Sequence, residues 1–275
     1  MRKLILSVVV AAMPAIAVAA PVTYDGSQST NQYNVPTTGG IGWTGVQYIN
    51  PTKVIYDSAT NSYTVRDTGK PALTSTFTGG TVGADYTTYS KMNGSVTETL
   101  KVLNKANTLL PLTYVQYGKW RRSGQPLNFN NNDTYIVFGT KTARSAMPVA
   151  GTGNYVTILD GTYINKNGVY AVSGNGTLTA TFAAGTIDYS ATATGTRETG
   201  GSTINFGTLA GTGFISNGGP AFKGTTLGAN AQGYSMNIWG NFYGPAADEV
   251  GGNFSIKGDR TTLAPGVGNG AFVGN

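Results

Sequence analysis

Trp239-Gly-Asn-Phe-Tyr-Gly-Pro-Ala-Ala-Asp-Glu-Val-Gly-Gly-Asn-Phe-Ser-Ile256 reads as a strand, a tight acidic corner and a returning strand. Alternation puts Trp239, Asn241 and Tyr243 on one face of the first strand, and Gly240, Phe242 and Gly244 on the other. Pro245 fixes φ near about −65°, which suits the first position of a helical turn, and Asp248 and Glu249 fall where a short turn is solvated. Gly251 and Gly252 then reopen the chain into a strand whose Phe254 and Ile256 share a side.

The same grammar runs outward from that hairpin. Toward the N-terminus, residues 153–159, 163–172, 177–182, 186–192, 203–206, 211–215 and 221–225 alternate as short strands, and 270–273 follows the hairpin. Asn167-Gly168 is a type I′ hairpin signal. Eight or more strands at this spacing imply a barrel or a sandwich, and sequential hairpins favour an up-and-down barrel because closure removes the edges. Further upstream, 53–57 and 62–66 read as a hairpin, 91–103 as a strand, and 112–120 and 134–139 as strong strands. Residues 121–133, rich in Asn, Ser, Gly and Pro, read as an exposed loop, and 20–45 as a polar, strand-poor arm. The polar connector 142–148 sets a boundary near 140–150. With 40 glycines and 11% charged residues in 275, the composition is all-β, and the glycines punctuate strands without the fixed period of a fibrous protein.

Residues 1–19 read as a signal peptide. Arg2-Lys3 form the charged region, Leu4–Val18 the apolar one, and Ala17-Val18-Ala19 the cleavage site. Export is therefore expected, to the outer surface, the medium or the periplasm. Without Arg2 and Lys3 the remaining 16 basic residues face 12 acidic ones, a mild and scattered excess that does not suit nucleic acid. No later apolar run is long enough for a transmembrane helix. The chain has neither histidine nor cysteine. Ser-His and Cys-His catalysis, the usual zinc sites, disulfides and an N-terminal lipid anchor are thereby excluded, and haem would have to be held without His or Cys ligation. Asp248-Glu249 is the one adjacent carboxylate pair, and a turn position does not suit a glycosidase pair. Asp160–Gly168 offers oxygen ligands but not the spacing of a calcium loop. Gly266-x-Gly268-x-Gly270 lacks the strand–helix context of a phosphate cradle. No catalytic or metal site is expected. Tyr117, Trp120, Arg121 and Arg122 combine aromatic and guanidinium groups at the mouth of a polar loop and are the candidate ligand-binding residues, against a plain strand end with solvated arginines.

Phe242-Tyr-Gly-Pro-Ala-Ala-Asp-Glu-Val-Gly-Gly-Asn-Phe254 resembles the "FYGP-x-A-x-E-x-GG-x-F" signature in the C-terminal barrel of transferrin-binding protein B-like proteins. Its structural positions here are Phe242, Tyr243, Gly244, Pro245, Glu249, Gly251, Gly252 and Phe254. Phe138–Tyr155 is similar to the family's lead into the barrel, and Leu112–Trp120 to the end of its handle domain. The resemblance implies an N-terminal β-rich handle, residues 20–140, followed by an eight-stranded antiparallel up-and-down β-barrel, residues 141–275. It also implies a non-enzymatic protein of a Gram-negative bacterium that captures an iron or haem source, whether a carrier protein or a small solute. An outer-membrane translocon and a TonB-dependent receptor are the implied partners. The alternative is an adhesive or structural envelope protein presenting loops on a barrel.

Overall fold

In a computed structural model of the chain, the described residues are 19–33, 48–67, 73–124, 131–226, 228–259 and 265–275. The expected signal peptide lies outside them except for Ala19. Seventeen strands and one short 3₁₀ turn, Arg144–Ala146, make up the regular structure of these residues. The first nine are β1 (Val22–Tyr33), β2 (Tyr48–Asp57), β3 (Ser62–Asp67), β4 (Thr74–Phe77), β5 (Thr81–Val82), β6 (Tyr86–Asn93), β7 (Val96–Leu103), β8 (Val115–Ser123) and β9 (Asn131–Gly139). They form one open sheet in the order β4-β3-β2-β1-β9-β8-β7-β6-β5. The remaining eight are β10 (Thr152–Asn165), β11 (Gly168–Thr181), β12 (Thr186–Arg197), β13 (Thr203–Ile215), β14 (Ala221–Thr225), β15 (Tyr234–Tyr243), β16 (Glu249–Gly258) and β17 (Gly266–Gly274). These run antiparallel in sequence order, and β17 pairs back on β10 to close a barrel.

The barrel is filled from alternate positions of each strand, including Tyr163, Phe206, Phe242, Phe254 and Ile256, all essentially unexposed. Each such side chain contributes about 1.5–3 kcal/mol by leaving water. Their bulk explains the glycines of β17. A Cβ on Gly270 would collide with the Asp160 carbonyl and the Phe254 ring, and one on Gly268 would meet Tyr163. The Gly-x-Gly-x-Gly run thus gives the inward aromatic rings their space. A second core, with Tyr63, Phe77, Tyr89, Trp120 and Phe138, lies within the open sheet. Tyr63 of β3 meets Tyr89 of β6 edge-on at 5.6 Å between ring centres, so the sheet curls on itself. A third core, with Val115, Tyr117, Tyr135, Val137, Tyr243, Ala271 and Val273, joins sheet to barrel.

Several sequence expectations are corrected. Residues 22–33 of the expected arm are instead β1, an interior strand between β2 and β9. Gln28, Ser29, Thr30 and Asn31 are all buried there, so polarity marks contact with other polar groups and not with solvent. Arg121–Ser123 and Asn131–Asp133 extend β8 and β9 into the expected loop, whose residues 125–130 lie outside the described set. Residues 91–103 are two strands that turn at Gly94, where φ is 61°. The segments around 203–206 and 211–215 are one strand, its register shifted where Gly207 takes a φ of 68°. The hairpin at 165–168 exists, but positive φ falls on Gly168 and not on Asn167, so its turn is not type I′. The Asn165 side chain instead accepts the Asn167 N–H at 2.8 Å.

Candidate functional site

Odd-numbered residues of β8 and β9 face the barrel, and even-numbered ones face the core of the sheet. That rule separates the four residues singled out from the sequence. Trp120 is buried among Phe77 and its neighbours, and its indole N–H donates to Glu98 Oε2 at 3.1 Å. Arg122 lies over the Trp120 ring at 5.6 Å. Both are on the side away from the barrel. Tyr117 and Arg121 point toward it. The four residues therefore do not share one surface.

Arg121 belongs to a polar cluster built around the buried Asp133. Its Nε and Nη2 reach the two oxygens of Asp133 at 2.6 and 2.7 Å, and Nη2 also reaches Glu198 of the barrel at 2.5 Å. Asp133 is fully buried, accepts from Thr162 at 2.7 Å and lies 3.3 Å from Lys119 Nζ. Burial alone would raise its pKa. The charges of Lys119 and Arg121 with their hydrogen bonds outweigh that and hold the carboxyl below the usual carboxylate range.

Next to the cluster runs a seam in which side chains of β1, β16 and β17 donate to backbone carbonyls across the junction, while the Oδ1 atoms of Asn31, Asn253 and Asn269 stay buried without a donor among the described residues. Ser29 Oγ donates to the Gly270 carbonyl at 3.0 Å, Asn269 donates to the Thr30 carbonyl at 2.9 Å, and Asn253 donates to the Tyr135 carbonyl at 3.1 Å. At the barrel end Glu249 closes the junction. It is 5% exposed, and its carboxylate accepts the backbone N–H groups of Thr113, Tyr114 and Val115 at 2.6, 2.8 and 2.8 Å. The expected solvated acidic turn is thus half right. Asp248 is exposed and, among the described residues, accepts only the Ala246 N–H at 3.2 Å, while Glu249 ties the end of the handle to the barrel.

Beyond the seam the two units diverge and leave a crevice of about 520 Å³. Tyr86, Leu109 and Tyr117 form its sheet side, and the outer wall of β10–β13 forms the other. At its inner end Tyr117 donates to Asp160 Oδ2 at 3.3 Å, and the Tyr86 and Tyr117 hydroxyls are 2.5 Å apart. Burial raises the Asp160 carboxyl above its ordinary value, and Lys119 opposes this only in part. Burial, and then the charge of Asp160, push the Tyr117 phenol up as well. Sequence reasoning reached Tyr117 but placed Asp133 in a loop and gave Asp160, Glu198 and Tyr86 no partner. Alternation of Asp133 with Tyr135 and Val137 was the available signal for the first. Nothing local signals the others, whose neighbours lie far away in sequence.

No protein-family profile matches the chain, and no curated protein does. Solved structures do show a likeness of fold. One is a double mutant of the vaccine antigen Transferrin Binding Protein B from Haemophilus parasuis, at 12% identity, covering 93% of this chain and 76% of that one, with a TM-score of 0.40. Another is HpuA from Kingella denitrificans in complex with human haemoglobin, at 14% identity, covering 92% and 87%, with a TM-score of 0.39. A third is the N-lobe domain of Lactoferrin Binding Protein B of Moraxella bovis, at 13% identity, covering 91% and 99%, with a TM-score of 0.41.

Proposed function

We propose that the chain is an exported, non-enzymatic binding protein of the transferrin-binding protein B-like type that captures an iron or haem source. The observation that carries this reading is Glu249. The acid of the sequence signature is the residue that docks a β-rich handle onto a β-barrel, so motif and architecture meet at one carboxylate. Supporting it, the polar seam makes a rigid scaffold for loops, the usual place for recognition on β proteins. No helix among the described residues is long and apolar enough to cross a membrane. A translocon and a TonB-dependent receptor are the partners this reading implies.

Haem iron would find no histidine or cysteine here. The two phenols of the crevice are hydrogen-bonded to each other and raised by burial, a donor set that does not fit axial ligation. A haem source would therefore be held through its carrier protein or through contacts to the porphyrin. The test is surface plasmon resonance of immobilised residues 20–275 against transferrin, lactoferrin, haemoglobin and free haem. One should bind at micromolar concentration or below, and silence from all four would refute iron capture.

A further inference from the structure

The outer wall of the crevice carries an ordered row. In the sheet register Asp160 pairs with Ser173, Ser173 with Thr194, and Thr194 with Asn205, so four polar side chains stand side by side on β10, β11, β12 and β13. At about 4.8 Å per strand the row is about 14 Å long. All but Asp160 are exposed on the wall. Asn175 and Thr192 form part of a second row beside it.

The hydrogen-bond directions at the inner end are fixed by Asp160. Tyr117 gives its proton to Oδ2, so Tyr86 must give its own to the Tyr117 oxygen. The floor then presents acceptors, the lone pairs of Tyr86 and Asp160 Oδ1, the latter with no donor among the described residues. Such a floor calls for a ligand rich in O–H or N–H groups. Three alternatives fit poorly. Among the described residues no Lys or Arg lines the crevice, which disfavours an anion. The charge of Asp160 already faces Lys119 and Lys101, which disfavours a cation. Ser, Thr and Asn dominate the wall, which disfavours an apolar molecule. The volume lies within the range of about 300–1,000 Å³ typical of small-ligand sites, and the Tyr86 ring offers an apolar face to C–H groups.

We propose that this crevice is a binding site for a neutral oligosaccharide, laid along Asp160, Ser173, Thr194 and Asn205 with Tyr86 and Tyr117 opposite. The inference is independent of iron capture. It is tested by presenting residues 20–275 to an array of immobilised neutral oligosaccharides and titrating any retained sugar calorimetrically. Thr194→Trp, an exposed position, fills the crevice and should abolish binding. Asp160→Asn should weaken it about tenfold, the worth of one hydrogen bond to a charged acceptor. Neither change should lower the melting temperature. Retention of no neutral glycan, retention that Thr194→Trp leaves intact, or binding of spermidine at the same site would each overturn the proposal. Iron carriers stripped of their glycans are assayed in parallel, so that failure of the sugar site and failure of carrier capture are read separately.

Discussion

Glu249→Ala is the sharpest perturbation of the junction. The carboxylate accepts three backbone N–H groups from consecutive residues, 113–115, with no distance above 2.8 Å. Removal leaves the three N–H groups without their acceptor, at a junction where Val115 is buried and Tyr114 half-buried. At about 1–2 kcal/mol for each orphaned donor, the loss should come to about 3–6 kcal/mol. Glu249→Gln should cost less, about 2–3 kcal/mol, because the amide oxygen can still serve two of the donors while its NH₂ opposes the third. Asp248→Ala is the neighbouring control. It is exposed and makes one long bond, so it should change stability by less than about 0.5 kcal/mol. Guanidinium melts give the three values. Amide hydrogen exchange at Tyr114 and Val115 gives a local readout that global unfolding would not mimic, with protection lost there first. A Glu249→Ala protein within about 1 kcal/mol of wild type, with those amides still protected, would refute the docking role.

Breaking the ion pair with Asp133→Asn should cost about 3–5 kcal/mol at pH 7, since Arg121 and Lys119 lose their buried counter-charge. The folded carboxyl titrates below its ordinary value of about 3.9, so its stabilisation is complete above that value and is lost as pH falls below it; denaturant melts should show wild type and variant converging in acid. Asp160 has the opposite sign. Its pKa is raised on folding, so it favours the folded state below the ordinary value and that contribution is lost as pH rises; Asp160→Asn should melt higher than wild type at pH 7 and alike near pH 3 in scanning calorimetry. Gly252→Ala would drive a Cβ into the Trp239 carbonyl across β15 and β16, and expression with circular dichroism should show an unfolded or strongly weakened chain.

What the sequence discloses and what it hides follow one physical division. The barrel is legible because its strands are half-buried, with apolar residues inside and polar residues outside, which is the alternation that a sequence displays. The signature hairpin is legible for the same reason, down to Phe254 and Ile256 sharing the core. β1 is invisible because over residues 26–33 both of its faces are largely buried and one is lined by Ser29 and Asn31 against the barrel, so no apolar period marks it. Glu249 looks solvated because its three donors lie more than 130 residues away. The same polarity sets the geometry of the crevice. An apolar junction would tolerate sliding of one unit over the other, whereas directional bonds from Asn253, Asn269 and Glu249 to particular backbone groups tolerate little. A handle fixed in that way holds Tyr117 within hydrogen-bonding reach of Asp160. Whatever enters the crevice therefore meets a preformed site and need not bear the cost of assembling one.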